Sequence, residues 1–109
     1  NRDEVPSARL LANLPVETVI EAVADHFGTT PAALAHRRSA APGRDLAAWL
    51  ARRYTSATLR ELAGPFGLGH PDSVSNLVRR ANKALEQSKS LRQEIATIRN
   101  RLAKTENRV

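Results

Sequence analysis

The chain of 109 residues is long enough for one domain with a modest core, and its apolar residues are mainly alanine and leucine beside one Trp, one Tyr and two Phe. This composition favours closely packed helices over a sheet, where β-branched and aromatic residues concentrate. The absence of cysteine excludes disulfides and cysteine-based zinc sites, and no apolar run approaches the ~20 residues that span a membrane.

The net charge of +6 is unevenly distributed along the chain. Residues 1–35 carry two arginines against five acids, whereas residues 36–109 carry fifteen lysines and arginines against six acids. Such asymmetry points to a polyanionic partner, usually nucleic acid, contacted by the later two-thirds of the chain. A merely solubilising surface is the alternative.

The first predicted helix follows residues 1–13, which we interpret as a linker or N-terminal extension. Pro15 suits the first turn of a helix, and apolar residues then recur at i, i+3, i+4 and i+7 up to Phe27. Gly28 is a plausible stop for this helix. Thr30 is the predicted cap of a short second helix.

The stretch "HRRSAAPGR", residues 36–44, interrupts the helical pattern and predicts a basic loop. A third helix is expected from Arg44 to Tyr54, with one apolar face. Arg52 and Arg53 lie near its C-terminus, where positive charge suits the helix dipole. Contact with DNA is the alternative role for these two arginines.

A capping box, "TLRE" at residues 58–61, predicts the start of a fourth helix, because each of its outer side chains can bond the other's free backbone N–H. This helix is expected to run towards Phe66, with Pro65 ending or kinking it. The turn 67–71 follows, and Asp72 is the predicted cap of the next helix.

The fifth predicted helix is amphipathic. Its apolar face is formed by Val74, Leu77, Val78, Ala81 and Leu85. Its exposed stripe carries polar and basic residues, namely Ser73, Asn76, Arg80 and Lys83, with Ser75 and Arg79 beside it.

The C-terminal amphipathic helix, residues 88–109, has apolar residues at 4-3-4 spacing: Leu91, Ile95, Ile98 and Leu102. We expect this face to pack back on the same domain. A coiled-coil seam that joins two copies into a homodimer is the alternative, although it would span fewer than three heptads.

A short capped helix, a glycine-containing turn and a longer helix with a polar stripe together predict a helix-turn-helix. In that motif the first helix braces the second, whose N-terminal part presents side chains to base edges in the major groove. Arginine can donate a bidentate pair to guanine and asparagine to adenine, which suits the exposed positions of the fifth helix.

From residue 15 to residue 85 the chain resembles the C-terminal DNA-binding domain of the bacterial replication initiator DnaA, a member of the Trp-repressor-like helix-turn-helix group. The resemblance rests on the basic loop "HRRSAAPGR", Arg44 at the start of the long helix, the box "TLREL", Val74 after the cap, and the basic pair Arg79-Arg80. It implies a bacterial cytoplasmic protein associated with the nucleoid.

The segment "LGHPDS", residues 68–73, departs from DnaA proteins, which typically carry Gly-Arg-Asp-His-Thr/Ser-Thr there. A divergent version of the domain forms the tail of REP-associated tyrosine transposases. The stretches "DSVSNLVRRA" and "SLRQEIATIRNRL" look more like that group. The resemblance therefore favours a transposase-type tail, whose catalytic domain would lie elsewhere, over an origin-binding domain of an initiator.

The resemblance also implies three groups of DNA-binding residues. Base readout would fall to Ser73, Ser75, Asn76, and Arg79 or Arg80. The basic loop would reach the minor groove or its flanking phosphates through Arg37 and Arg38. Backbone phosphates would be held by Arg44, Thr58 and Lys83.

Catalytic chemistry has little support in this sequence. The chain lacks a cysteine nucleophile and a glycine-rich phosphate loop, and its acids are dispersed. His26, His36 and His70 lack metal-ligand spacing, so no metal and no cofactor are expected. Trp49 is predicted to belong to the core rather than to a stacking platform.

The sequence thus predicts an all-α fold, a compact five- to six-helix Trp-repressor-like helix-turn-helix domain with an extended C-terminal amphipathic helix. Residues 14–87 would form the DNA-binding domain and residues 88–109 the C-terminal helix. The expected partner is double-stranded DNA, without a membrane or a small-molecule ligand. A protein-interaction domain of the same fold is the second hypothesis. RNA binding is disfavoured, because the deep major groove of A-form RNA does not suit this geometry.

Overall fold

The computed structural model describes residues 14–35 and 43–107, with side chains as far as residue 104. This part of the chain is all-α and has no strand, which confirms the predicted fold class. Its six helices are α1 (Val16–Phe27), α2 (Pro31–Leu34), α3 (Arg44–Tyr54), α4 (Leu59–Ala63), α5 (Pro71–Gln87) and α6 (Lys89–Asn107). The predicted linker 1–13 and the basic loop with Arg37 and Arg38 lie outside the described residues.

The ends of α1 and the start of α2 follow the sequence signals. Helix α1 ends at Gly28, whose φ of 68° is left-handed, and which donates its N–H to the last turn. Thr30 caps α2 by accepting a hydrogen bond from the Ala33 N–H at 3.1 Å, with Pro31 as the first helical residue.

Gly43 marks the close approach of α3 to α1. Its φ is 88°, a conformation that L side chains rarely adopt. A Cβ at this position would lie 2.5 Å from Phe27 Cδ2 and 3.0 Å from Val23 Cγ1. Both the backbone conformation and the available space therefore require glycine where α3 begins.

The capping box predicted for α4 is confirmed. Thr58 Oγ1 accepts from the Glu61 N–H at 3.1 Å, and Glu61 Oε1 accepts from the Thr58 N–H at 2.8 Å. The helix ends at Ala63, earlier than the predicted run towards Phe66, and a turn occupies 64–67. Phe66 belongs to this turn, and its side chain is fully buried.

The cap of α5 is His70, so the prediction of Asp72 was wrong. Pro71 is the first residue of α5, which moves the cap one residue before it. His70 Nδ1 accepts from the Asp72 N–H at 3.1 Å. Proline suits this first position because it has no N–H to leave unpaired.

All six helices contribute to one core. The described apolar residues of α6 that lie deepest are Ile95, Ile98 and Leu102, each at most 5% exposed. Helix α6 packs against α1 and α5, so its apolar face covers its own chain. Of the two alternatives for this helix, the structure shows the one in which it packs back on its own domain.

Polar contacts hold α6 at the edges of this apolar seam. His26 Nε2 forms a hydrogen bond with Glu94 Oε1, and Arg101 Nη2 donates to Asp25 Oδ2 at 3.0 Å. The guanidinium of Arg99 lies 5.8 Å from the centre of the Tyr54 ring, which links α6 to α3. These pairs are partly exposed, so the buried seam supplies most of the docking energy.

Arg44 is buried at the centre of the fold, with 8% of its surface exposed. Its Nε donates to the Leu34 carbonyl at 3.0 Å and its Nη2 to the Phe66 carbonyl at 2.8 Å. Burial lowers the pKa of the Arg44 guanidinium, while Asp45 raises it and Arg80 lowers it slightly further. The group still stays charged, because arginine is deprotonated only far above physiological pH.

Replacement of Arg44 by methionine should lower the free energy of unfolding by about 2–4 kcal/mol, because two buried carbonyls lose a charged donor. Chemical denaturation of the purified variant measures this loss. Arg60→Met, which removes an exposed arginine from α4, is the matched control and should change stability by less than about 0.5 kcal/mol. Equal stability of the two variants would contradict the structural role of Arg44.

Replacement of Ile98 by alanine should cost about 2–5 kcal/mol, because it opens a cavity in the seam under α6. The unfolding midpoint should not depend on protein concentration, since the seam lies within one chain. Gln93→Ala, at an exposed position of the same helix, is the control. A midpoint that rises with concentration in the wild type, and no longer does so in Ile98→Ala, would point to a seam between two copies.

Candidate nucleic-acid interface

Helix α5 packs against α3 and α4, and this packing determines which of its faces is exposed. Its buried face consists of Val74, Leu77, Ala81 and Leu85, with Val78 partly buried beside them. The residues of the opposite face are therefore mostly exposed. The geometry follows from apolar residues three and four positions apart.

The exposed face of α5 carries the predicted base-reading residues in two classes. Asn76, Arg79 and Arg80 are exposed, whereas Ser73 and Ser75 are partly buried at its flanks. Asn76, Arg79 and Lys83 follow one another at i, i+3 and i+7, so they form one stripe along the helix. The side chains of Asn76, Arg79 and Lys83 are thus all exposed to solvent.

Arg80 differs from Arg79 in having an acidic partner. Its Nε lies 3.3 Å from Asp45 Oδ2, and its Nη2 donates to Asp45 Oδ1, also at 3.3 Å. The pair links α5 to the start of α3. Arg80 is therefore partly neutralised within the domain, whereas Arg79 has no ion pair among the described residues.

A shallow hollow opens beside the stripe, where α3, α4 and α5 meet, with a volume of about 300 Å³. Its lining comprises two arginines, two short polar residues and two apolar ones: Arg52, Arg79, Ser75, Asn82, Leu59 and Val78. Arg52 comes from the last turn of α3, where the helix dipole alone could account for it. Tertiary packing brings it to the same hollow as Arg79.

Trp49 borders this region and orients one of its polar side chains. Its Nε1 donates to Asn82 Oδ1 at 2.7 Å, and the guanidinium of Arg53 lies 4.9 Å from the centre of its ring. Trp49 was predicted to belong to the core. It packs against the core but is only partly buried.

Sequence reasoning overlooked Asn82, although a signal was present. Ser75, Arg79 and Asn82 recur at i, i+4 and i+7 along one flank of α5. The predicted site included the first two residues of this line, Ser75 and Arg79, but not the third, Asn82. The contact between Asn82 and Trp49 depends on the crossing of α3 and α5, which spacing along the chain does not reveal.

The three predicted phosphate-binding residues have different environments. Lys83 is exposed, and Thr58 is exposed while its Oγ1 is engaged in the cap of α4. The prediction that Arg44 binds a phosphate needs correction. Its guanidinium is buried between two backbone carbonyls and has a structural role instead.

The start of α5 carries an acidic side chain as well. Asp72 is 88% exposed in its side chain, and its Oδ2 lies 3.7 Å from His70 Nδ1. A carboxylate in the first turn is favourable to the helix dipole. It also reduces the positive charge at the end of α5 that is predicted to enter a groove.

Within residues 14–35 and 43–107, no group of three or more His, Cys, Asp or Glu residues is arranged to hold a metal ion. In the same part of the chain, none of the helices combines the length and the apolar character that crossing a membrane requires. Comparison of the chain with family models, with curated proteins and with solved structures finds no match.

Proposed function

We propose that this domain binds double-stranded DNA in a sequence-selective way, with α5 in the major groove. The observation that carries the proposal is the exposed stripe of Asn76, Arg79 and Lys83 on a helix whose other face is buried on α3 and α4. An α-helix with its side chains is about 10–12 Å across, and the major groove of B-form DNA is about 12 Å wide.

The order of elements supports this placement of α5. Helix α4, with its capping box, precedes a turn over residues 64–70, and α5 follows with Asp72 and Asn76 exposed in its N-terminal half. This turn is longer than the roughly 3–4-residue turn of the common helix-turn-helix. Its middle is fixed by burial of Phe66 and by the bond from Arg44 to the Phe66 carbonyl, so the added length is held in place.

The charge of the surface around α5 supports a polyanionic ligand. Arg52 and Arg53 at the end of α3 and Lys83 on α5 are exposed, and none of the three takes part in an ion pair among the described residues. Contacts from such residues to phosphates would position the domain, while Asn76 would read a base edge.

We further propose that the domain targets DNA for a transposase-related protein rather than for a replication initiator. The segment 68–73 supports this choice, because Gly69, His70 and Pro71 stand where the initiator signature has arginine, aspartate and histidine. Selection of bound sequences from random duplex DNA tests both levels of the proposal. An origin-type box among the selected sequences would favour the initiator, and no binding to any duplex at low salt would refute DNA binding itself.

Replacement of Asn76 by alanine should relax the choice of one base pair in the selected site, at a cost of about 1–3 kcal/mol in binding to that site. Binding to an unrelated duplex should change little, because the phosphate contacts remain. Fluorescence anisotropy with the selected duplex and its single-base variants measures the effect. An equal loss on every duplex would contradict base readout by Asn76.

The affinity for duplex DNA should fall linearly with salt on logarithmic axes, with a slope of about −0.9 for each phosphate neutralised. Lys83→Gln should reduce the size of this slope by about 0.9. Lys104→Gln, which removes the same charge at an exposed position of α6, is the matched control and should leave the slope unchanged. Equal slopes in the wild type and Lys83→Gln would exclude a phosphate contact by Lys83.

A further inference from the structure

We propose that the hollow between α3, α4 and α5 is a seat for a single phosphate of the DNA backbone, formed by Arg52, Arg79, Asn82 and Ser75. This inference rests on the proposed function and deepens it. It assigns Arg79 and Ser75 to a phosphate rather than to a base, gives Arg52 a particular phosphate, and adds Asn82 to the interface.

The two arginines of the hollow are cations without an acidic partner in the described part of the chain. By contrast, Arg80 is paired with Asp45 and Arg101 with Asp25. Neither Arg52 nor Arg79 takes part in an ion pair there, and no carboxylate is among the residues that line the hollow. Two like charges on one small surface repel each other, and an anion between them removes that repulsion.

The Asn82 amide is oriented by Trp49 so that it can act as a donor. Its Oδ1 is occupied by the Trp49 Nε1–H at 2.7 Å, and tryptophan can only donate, which settles which end of the amide faces the indole. The Asn82 NH2 group is therefore the end that remains for a ligand. Trp49 acts here as a positioning residue, since it sets the orientation of Asn82.

The hollow thus offers donors: two guanidinium groups, one amide NH2 and the Ser75 hydroxyl, which can donate or accept. The major-groove edge of every base pair includes a donor beside its acceptors, whereas a phosphodiester presents acceptors only. The donor set matches a phosphate. A guanidinium can also meet two phosphate oxygens with parallel hydrogen bonds, which fixes orientation as well as position.

The position of the hollow gives this contact a mechanical role. It lies along the flank of α5, next to the stripe of Asn76, Arg79 and Lys83. A phosphate held there would fix α5 against one wall of the major groove and so set which base pair Asn76 meets. Phosphate contacts carry no sequence information themselves, but they determine the register in which base contacts form.

The test uses the duplex selected for the full chain, with one backbone phosphate at a time replaced by a neutral methylphosphonate. Wild-type protein should lose affinity roughly tenfold or more at one particular phosphate, because charge-assisted hydrogen bonds are lost there. Arg52→Gln should bind the unmodified duplex more weakly and lose clearly less than the wild type at that phosphate. Arg60→Gln, at an exposed position of α4, is the matched control and should keep the wild-type pattern.

Two further variants separate the seat from a general effect of charge. Asn82→Ala should weaken binding and blunt the response to the same methylphosphonate without any change of charge. Trp49→Phe keeps a ring beside Arg53 but removes the N–H that orients Asn82, so it should reproduce the Asn82→Ala pattern.

The outcomes separate this inference from the function on which it rests. Absence of duplex binding at low salt would refute the proposed function, and the seat with it. Duplex binding in which Arg52→Gln shows the wild-type response at every modified phosphate would overturn the seat alone. Responses of Asn82→Ala equal to the wild type would likewise exclude the amide from the seat and overturn its proposed composition.

Discussion

One buried guanidinium, that of Arg44, connects parts of the chain that are far apart in sequence. It satisfies the carbonyl at the end of α2 and the carbonyl of Phe66, in the turn that leads to α5. A charge at this depth is tolerated because both hydrogen bonds are made and Asp45 lies beside it. The position of the turn, and with it the start of α5, therefore depends on this side chain.

Elsewhere in the domain, too, polar contacts fix the orientation of elements that apolar packing alone would hold less specifically. The seam of Ile95, Ile98 and Leu102 supplies area but little directional preference, whereas the contacts of His26 with Glu94 and of Asp25 with Arg101 define how α6 lies on α1. On the opposite side of α3, Trp49 does this for Asn82. The proposed interface is thus built on elements whose orientation is specified by hydrogen bonds.

Much of the fold could be predicted because its signals are local. The capping box at Thr58, the cap at Thr30 and the left-handed Gly28 each involve residues within a few positions of one another. His70 could also have been identified, since a proline at the first helical position implies a cap one residue earlier. The burial of Arg44 and the meeting of Arg52 with Arg79 could not, because both result from the crossing of distant helices.

The contact of Gly43 with α1 restricts how this domain can vary during evolution. A side chain at position 43 would collide with Phe27 and Val23 and would also need a left-handed backbone. A smaller residue at position 27 could relieve the collision but not the backbone requirement, so substitutions at the two positions cannot compensate fully. Diverged copies of this domain should therefore keep glycine at this junction, even where the exposed residues of α5 have changed.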